Sequence, residues 1–349
     1  MARLFRVKPS ELILFSRQLA LLLESGINIT ASLELLQSQT SSRTLKRVLD
    51  EVTSDLRSGN QLSAALGKHP EIFSTIYCRL LAVGEQTGSL ETMLRQMADY
   101  MEKEATTAKG VKNALMYPVI TAIVAAVVIG VLVTFVFPSF GNLYSSLGAD
   151  LPPLTKIVLD AASILNTYGI YLMLAIFIAS GLAFAYTKTP NGKQRLDKLL
   201  LSLPLVGRVN HLSELARCCR NISLLFHAGL PLTEIVPLVI QSSGNRAMAK
   251  AFIDVQQGMI KGEGLSQPMA KNPLFLPMMV QMVKVGEETG NLDTALYAVA
   301  QNYETEAGDR TRSLIGLIQP AMTLIIALVV GFIALSLVSA MYSMYGQVL

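Results

Sequence analysis

Val83-Gly84-Glu85-Gln86-Thr87-Gly88-Ser89-Leu90 returns 202 positions later as Val285-Gly286-Glu287-Glu288-Thr289-Gly290-Asn291-Leu292. Upstream, Leu22-Leu23-Glu24-Ser25-Gly26-Ile27-Asn28-Ile29 returns 203 positions later as Leu225-Phe226-His227-Ala228-Gly229-Leu230-Pro231-Leu232. Downstream, Tyr117-Pro118 precedes one apolar run and Gln319-Pro320 precedes another. Three matches in order and at nearly one offset define an internal duplication. Each copy carries roughly 110 residues of soluble character into a hydrophobic run, which is the pattern of a membrane-tethered, two-lobed scaffold and not of a single-pocket enzyme.

The apolar runs set the next level of organisation. Of the 349 residues, 51% are hydrophobic and 15% charged, against about 25% charged in soluble domains. The deficit is concentrated in three uncharged stretches: Val119–Phe137, Gly169–Tyr186 and Ala321–Ala340. Their lengths of 19, 18 and 20 residues fit a hydrocarbon core of about 30 Å. Lipid offers the backbone no hydrogen-bond partners, so each is expected to be helical. Tyr117, Tyr168, Tyr171, Tyr186, Tyr342 and Tyr345 lie near the ends, where an aromatic belt belongs.

Basic residues give the orientation. Of 29 Lys and Arg, 14 precede the first run, 14 lie between the second and third, and one, Lys156, lies in the connection after the first. The positive-inside rule puts both large segments in the cytoplasm, and the short loop and C-terminus on the other side. The formal charge of +4 is too mild and too dispersed for a nucleic-acid binder. Cys78, Cys218 and Cys219 make an odd, unspaced set, which reads as free thiols in a reducing compartment. The N-terminus shows no secretory signal: Leu12–Leu23 is interrupted by Ser16, Arg17 and Gln18.

Within each copy the apolar spacing is helical. Leu19, Leu22 and Leu23 precede Gly26; Ile222, Leu225 and Phe226 precede Gly229. Asn28 or Thr30 is placed to cap the next helix, and Pro231 to set its counterpart. Amphipathic helices are expected over Arg43–Leu56 and Ala247–Ile260, stopped by Gly59 and Gly262. Ser63 and Ser266 open short helices that close before Pro70 and Pro273. The last helix of each copy begins at Leu90 and Leu292 and runs toward Pro118 and Pro320, where a kink is expected as the chain approaches the bilayer. Gly130 and Gly331 sit at similar depth in the repeated runs and are candidates for close helix packing.

Catalytic chemistry leaves no constellation. Gly67-Lys68 and Gly192-Lys193 lack the glycine spacing and the hydroxyl of a phosphate loop. His69, His211 and His227 are far apart and lack metal-ligand spacing. The apolar runs hold no Asp, Glu, Lys, Arg or His, so the usual mark of an ion or proton path is missing. No catalytic, cofactor-binding or metal residue is assigned. The sharpest polar residues are Gly84, Glu85, Thr87, Gly88, Gly286, Glu287, Thr289 and Gly290. They read as a helix–helix corner in which Gly88 and Gly290 take left-handed conformations, the glutamates bond backbone groups, and Ser89 or Asn291 caps the following helix. The same corner can serve as a partner-docking site; calcium binding is the weaker alternative, since no dense run of oxygen ligands accompanies it.

These twin segments, together with Tyr117-Pro118 and Leu151-Pro152-Pro153-Leu154-Thr155, resemble the type II secretion protein F / type IV pilus PilC family over nearly the whole chain. Asn28 stands where the family's first lobe usually has proline, and the chain starts almost at the first lobe, without the leading segment of many members. The resemblance implies a platform protein of the cytoplasmic (inner) membrane, without enzymatic activity and without cofactor. Its partners would be a cytoplasmic hexameric assembly or retraction ATPase, pilin or pseudopilin subunits, other inner-membrane assembly proteins and further copies of itself in the lipid bilayer, with no nucleic acid. The alternative is a channel or transporter subunit. The expected fold is all-α, with two homologous cytoplasmic helical-bundle lobes of about six helices each and three transmembrane helices. The lobes span 1–114 and 188–316, the transmembrane helices 115–137, 169–187 and 317–341, the external loop 138–168 and the external tail 342–349.

Overall fold

The computed structural model describes residues 7–136, 138–139, isolated positions between 156 and 181, and 206–348. Among the described residues all regular structure is helical. The first repeat consists of α1 (Pro9–Glu24), α2 (Ile29–Gln39), α3 (Arg43–Arg57), α4 (Leu62–Gly67), α5 (Thr75–Thr87) and α6 (Leu90–Val131). The second consists of α7 (Val206–His227), α8 (Leu232–Ser242), α9 (Arg246–Ile260), α10 (Ser266–Ala270), α11 (Pro277–Thr289) and α12 (Leu292–Val348).

Local chemistry explains the boundaries. Asn28 Oδ1 accepts from the Thr30 N–H at 2.9 Å, so Asn28, and not Thr30, caps α2. Ser42, Ser74 and Asn245 cap α3, α5 and α9 in the same way. The expected stops at Gly26, Gly59, Gly229 and Gly262 all have positive φ. Along α3, Leu45, Val48, Leu49 and Val52 repeat at three and four and are buried.

The described residues divide into two compact units. One gathers residues 7–110 and 206–309, so the two repeats share a unit and one hydrophobic core. Consecutive helices from α1 to α5 and from α7 to α11 pack on one another, and α5 of the first repeat packs on α8 of the second. The two halves of this core are not copies in detail. In the first, Ser16 and Tyr77 hydrogen-bond at 2.9 Å in the interior. At the corresponding positions of the second stand Cys219 and Met279, each 0% exposed. A polar pair has been exchanged as a whole for an apolar one, which avoids stranding a buried hydroxyl.

The other unit holds residues 111–181 and 310–348 as far as they are described. The apolar parts of α6 and α12 belong to it. Leu90–Val136, including a π-helical last turn at Leu132–Val136, and Leu292–Ser336 are long and apolar enough to cross a membrane. Their most apolar windows are 0% and 6% buried, an exposed apolar surface that water would penalise. Pro118 and Pro320 lie inside these continuous helices, each removing one backbone hydrogen bond. Added Cβ atoms at Gly130 and Gly331 would meet nothing within 4 Å. Contact between the two helices runs instead through Ile333 against Ile129, Leu132 and Val133, since branched side chains fill the space that small residues would close. Helix α12 continues to Val348, through the segment expected as a tail. The loop 138–168 and the run Gly169–Tyr186 lie outside the described residues apart from isolated helical positions such as Tyr171, Leu174 and Ile178.

Candidate functional site

The repeated Gly-Glu-x-Thr-Gly segments close α5 and α11 and turn the chain into the long helices. Gly88 and Gly290 have φ of +70° and +74°, the left-handed conformation that glycine adopts without penalty. Gly84 and Gly286 answer a different demand. A Cβ at Gly84 would lie 2.9 Å from Leu90 Cα, and one at Gly286 would lie 2.8 Å from Leu292 Cα. The start of each long helix is therefore pressed onto the preceding helix at van der Waals contact with bare backbone.

The glutamate between them reaches across the repeat. Glu85 Oε1 accepts from the Leu62 N–H at 2.5 Å, and Oε2 accepts from the Ser63 N–H at 3.2 Å and hydroxyl at 2.5 Å. Glu287 accepts from the Leu265 N–H at 2.5 Å and the Ser266 N–H at 3.1 Å. The short helices α4 and α10 have no side-chain cap of their own at Gln61 and Leu265. The glutamates supply that cap from a distance, with a negative charge at the positive end of the helix. Thr87 and Thr289 donate to Val83 O and Val285 O at 2.9 and 2.8 Å. Ser89, expected to cap α6, shares a 2.6 Å hydrogen bond with Thr87, and Asn291 donates to Thr289 O at 3.4 Å. Both side chains turn back on the corner. The eight residues thus make two clasps, each tying three helices together.

A second duplicated feature lies farther along the long helices and was missed in the sequence. Arg17 on α1 pairs with Asp99 and Glu102 on α6. Arg220 on α7 pairs with Glu304 on α12, its Nη2 2.8 and 2.9 Å from the two carboxylate oxygens and its Nε 3.1 Å from one. Arg17 and Arg220 are related by the offset of 203, and Glu102 and Glu304 by 202. The second pair is covered: the Arg220 side chain is 9% exposed, against 46% for Arg17, and its guanidinium stacks 4.3 Å from the Tyr297 ring centre. Glu304 also takes Lys103 of α6 at 3.0 Å. The two long helices are thereby joined through one carboxylate.

Glu214 organises the start of α9. Its Oε1 accepts from the Ser243 hydroxyl at 2.7 Å and from the Gly244 and Asn245 N–H groups at 2.8 and 3.2 Å, and its other oxygen pairs with Arg217. Burial alone would push this carboxyl up, but Ser243, Arg217 and the Asn245 N–H together hold it below the usual range. Burial pushes the Cys218 and Cys219 thiols up, and Cys78 to about 11, so the thiols are poor nucleophiles. The histidines are held by protein groups: His211 by Leu274 O at 2.7 Å, His227 by Asp293 at 2.9 Å, and His69 near Glu51 and Glu71. Among the described residues no group of His, Cys, Asp and Glu could hold a metal. The arrangement positions helices.

The sequence model described as type II secretion system (T2SS), protein F, matches the chain twice, over residues 15–138 and 218–340. The chain is 33% identical to the type IV pilus assembly protein PilC of Thermus thermophilus, over 96% of this chain and 83% of that protein. It is 34% identical to the type 4 fimbrial assembly protein PilC of Pseudomonas putida, over 94% and 81%. It is 28% identical to the type II secretion system protein F of Aeromonas hydrophila, over 99% and 89%.

Proposed function

Because the chain belongs to the type II secretion system protein F family, we propose that it is the inner-membrane platform through which a cytoplasmic ATPase drives the addition or removal of pilin or pseudopilin subunits. Proteins of this family are non-enzymatic platform proteins of type IV pilus and type II secretion machines, and the chain is no enzyme. The observation that carries the finer reading is that both repeats match the family and each ends in a long helix with an exposed apolar stretch.

In this reading residues 1–114 and 188–316 stand in the cytoplasm, and the chain crosses the membrane over 115–137, 169–187 and 317–341. The loop 138–168 and the tail 342–349 face the periplasm. The ATPase and other assembly proteins meet the cytoplasmic residues, and pilin meets the apolar helices. The two clasps built on Glu85 and Glu287 fix how α6 and α12 leave the helices before them, and Pro118 and Pro320 give each long helix a weak point where it enters the bilayer. Deleting the gene is expected to abolish surface filaments or secretion while leaving pilin levels intact. Normal filaments and secretion in the deletion strain would overturn the proposal.

A further inference from the structure

The two repeats dock head to tail, and the surfaces that dock are exposed again at the two ends of the pair. Within the chain, the tail of the first repeat (α5 and α6) covers the head of the second (α7 and α8). Arg79 on α5 pairs with Glu234 on α8, and Lys103 on α6 reaches Glu304 of α12, the carboxylate that Arg220 of α7 also holds. One turn either side of Arg79, on the same face, Ile76 is 5% exposed and Val83 is packed into the core. One turn on from Glu234, Leu238 is likewise packed, as is Leu224 on α7.

The duplication supplies the same faces a second time without a cover. On α11, Met278 and Val285 correspond to Ile76 and Val83 and are 39% and 49% exposed. On α1 and α2, Leu21 and Leu35 correspond to Leu224 and Leu238 and are 60% and 42% exposed. One patch has the shape of a tail and the other of a head, and they belong to different repeats. A contact of this kind is heterologous: it joins unlike faces and leaves one of each free to join again.

We propose that the exposed tail of the second repeat, around Met278 and Val285, docks on the exposed head of the first repeat, around Leu21 and Leu35, of another copy of this chain. The contact between copies then repeats the contact inside the chain. Gln281 and Ala31 replace Arg79 and Glu234 at its centre, so it keeps the apolar part and lacks the ion pair, and it is the weaker and more reversible of the two. The proposal rests on the platform reading only in needing neighbouring copies to share one membrane orientation.

The test uses the full chain in lipid nanodiscs large enough for several copies, in a Cys78→Ser background, with a short bismaleimide crosslinker. Chains carrying A31C and chains carrying Q281C are reconstituted separately and as a mixture. A crosslinked dimer is expected from the mixture and from neither variant alone. Adding L21E and L35E to the A31C chain is expected to lower the crosslinked yield by about tenfold, with an unchanged unfolding midpoint because both leucines are exposed. Dimer from either variant alone would show a symmetric, like-with-like contact and overturn the proposal, as would the absence of crosslinking in the mixture. Filament assembly in the deletion strain tests the platform reading separately, so the two can fail independently.

Discussion

At the scale of single residues, the corners separate two uses of glycine that one substitution distinguishes. Gly84→Ala and Gly286→Ala drive a methyl group into backbone at 2.9 and 2.8 Å and are expected to cost about 1–3 kcal/mol each. Gly88→Ala meets open space but keeps φ at +70°, a strain of about 1–2 kcal/mol. Unfolding midpoints of the purified protein should fall for Gly84→Ala and Gly286→Ala; a Gly286→Ala chain as stable as the native one would deny the close approach. The interior pair makes a second comparison. Ser16→Ala leaves the Tyr77 hydroxyl buried without its partner, costing about 1–3 kcal/mol, whereas S16A/Y77F removes both ends and is expected to cost less than S16A alone. Glu214 brings pH into the account. Its carboxyl is held below the usual range in the folded chain, so its stabilisation is complete at neutral pH and is lost as pH falls through the folded value. The gap in midpoint between the native chain and Glu214→Gln should therefore narrow below about pH 4. A gap that stays constant would show that the charge does not matter.

Among elements, the ends of helices were plainer in the sequence than their partners. Gly26, Gly59, Gly229 and Gly262 marked ends correctly because a left-handed residue is a local requirement. Asn28 capped α2 for the same reason. The target of Glu85 was not legible, because the N–H groups it bonds lie 22 and 23 residues upstream and belong to a helix that only the fold brings near. The Arg17–Glu102 and Arg220–Glu304 pairs span 85 and 84 positions. A signal for them existed all the same: Arg and Glu each recur at the duplication offset, and a search for identical charges at 202 and 203 would have found both. Their unequal burial could not be read, since it depends on Tyr297 stacking on Arg220 and on Lys103 of α6 reaching Glu304. Substitution exposes that inequality. Arg220→Ala removes a covered guanidinium, with its bidentate hydrogen bonds and its stacking on Tyr297, while Glu304 keeps Lys103, and is expected to cost about 1.5–3 kcal/mol. Arg17→Ala acts in water and is expected to leave the midpoint nearly unchanged. Equal losses would mean that cover makes no difference.

For the whole molecule, duplication gave the architecture away and asymmetry gave it direction. The sequence carried the repeat, its all-helical character and the long apolar helices, because hydrophobic periodicity and turn chemistry are local. It did not carry the sharing of one core by both repeats. The proposed membrane orientation predicts that a cysteine placed at Tyr345, in a chain without Cys78, reacts with an impermeant maleimide in intact cells, and one placed at Lys68 does not. The opposite labelling would invert the topology. At physiological ionic strength the screening length in water is about 8 Å and it shortens as salt rises; covered charges are screened far less. The Arg17 pairs stand half-exposed, while the Arg220 guanidinium is covered and stacked on Tyr297. Rising salt therefore weakens the Arg17 pairs, which contribute little to stability, before it weakens the Arg220 pair. The two halves of the duplicated chain thus differ in how far their equivalent ion pairs feel the ionic strength around them.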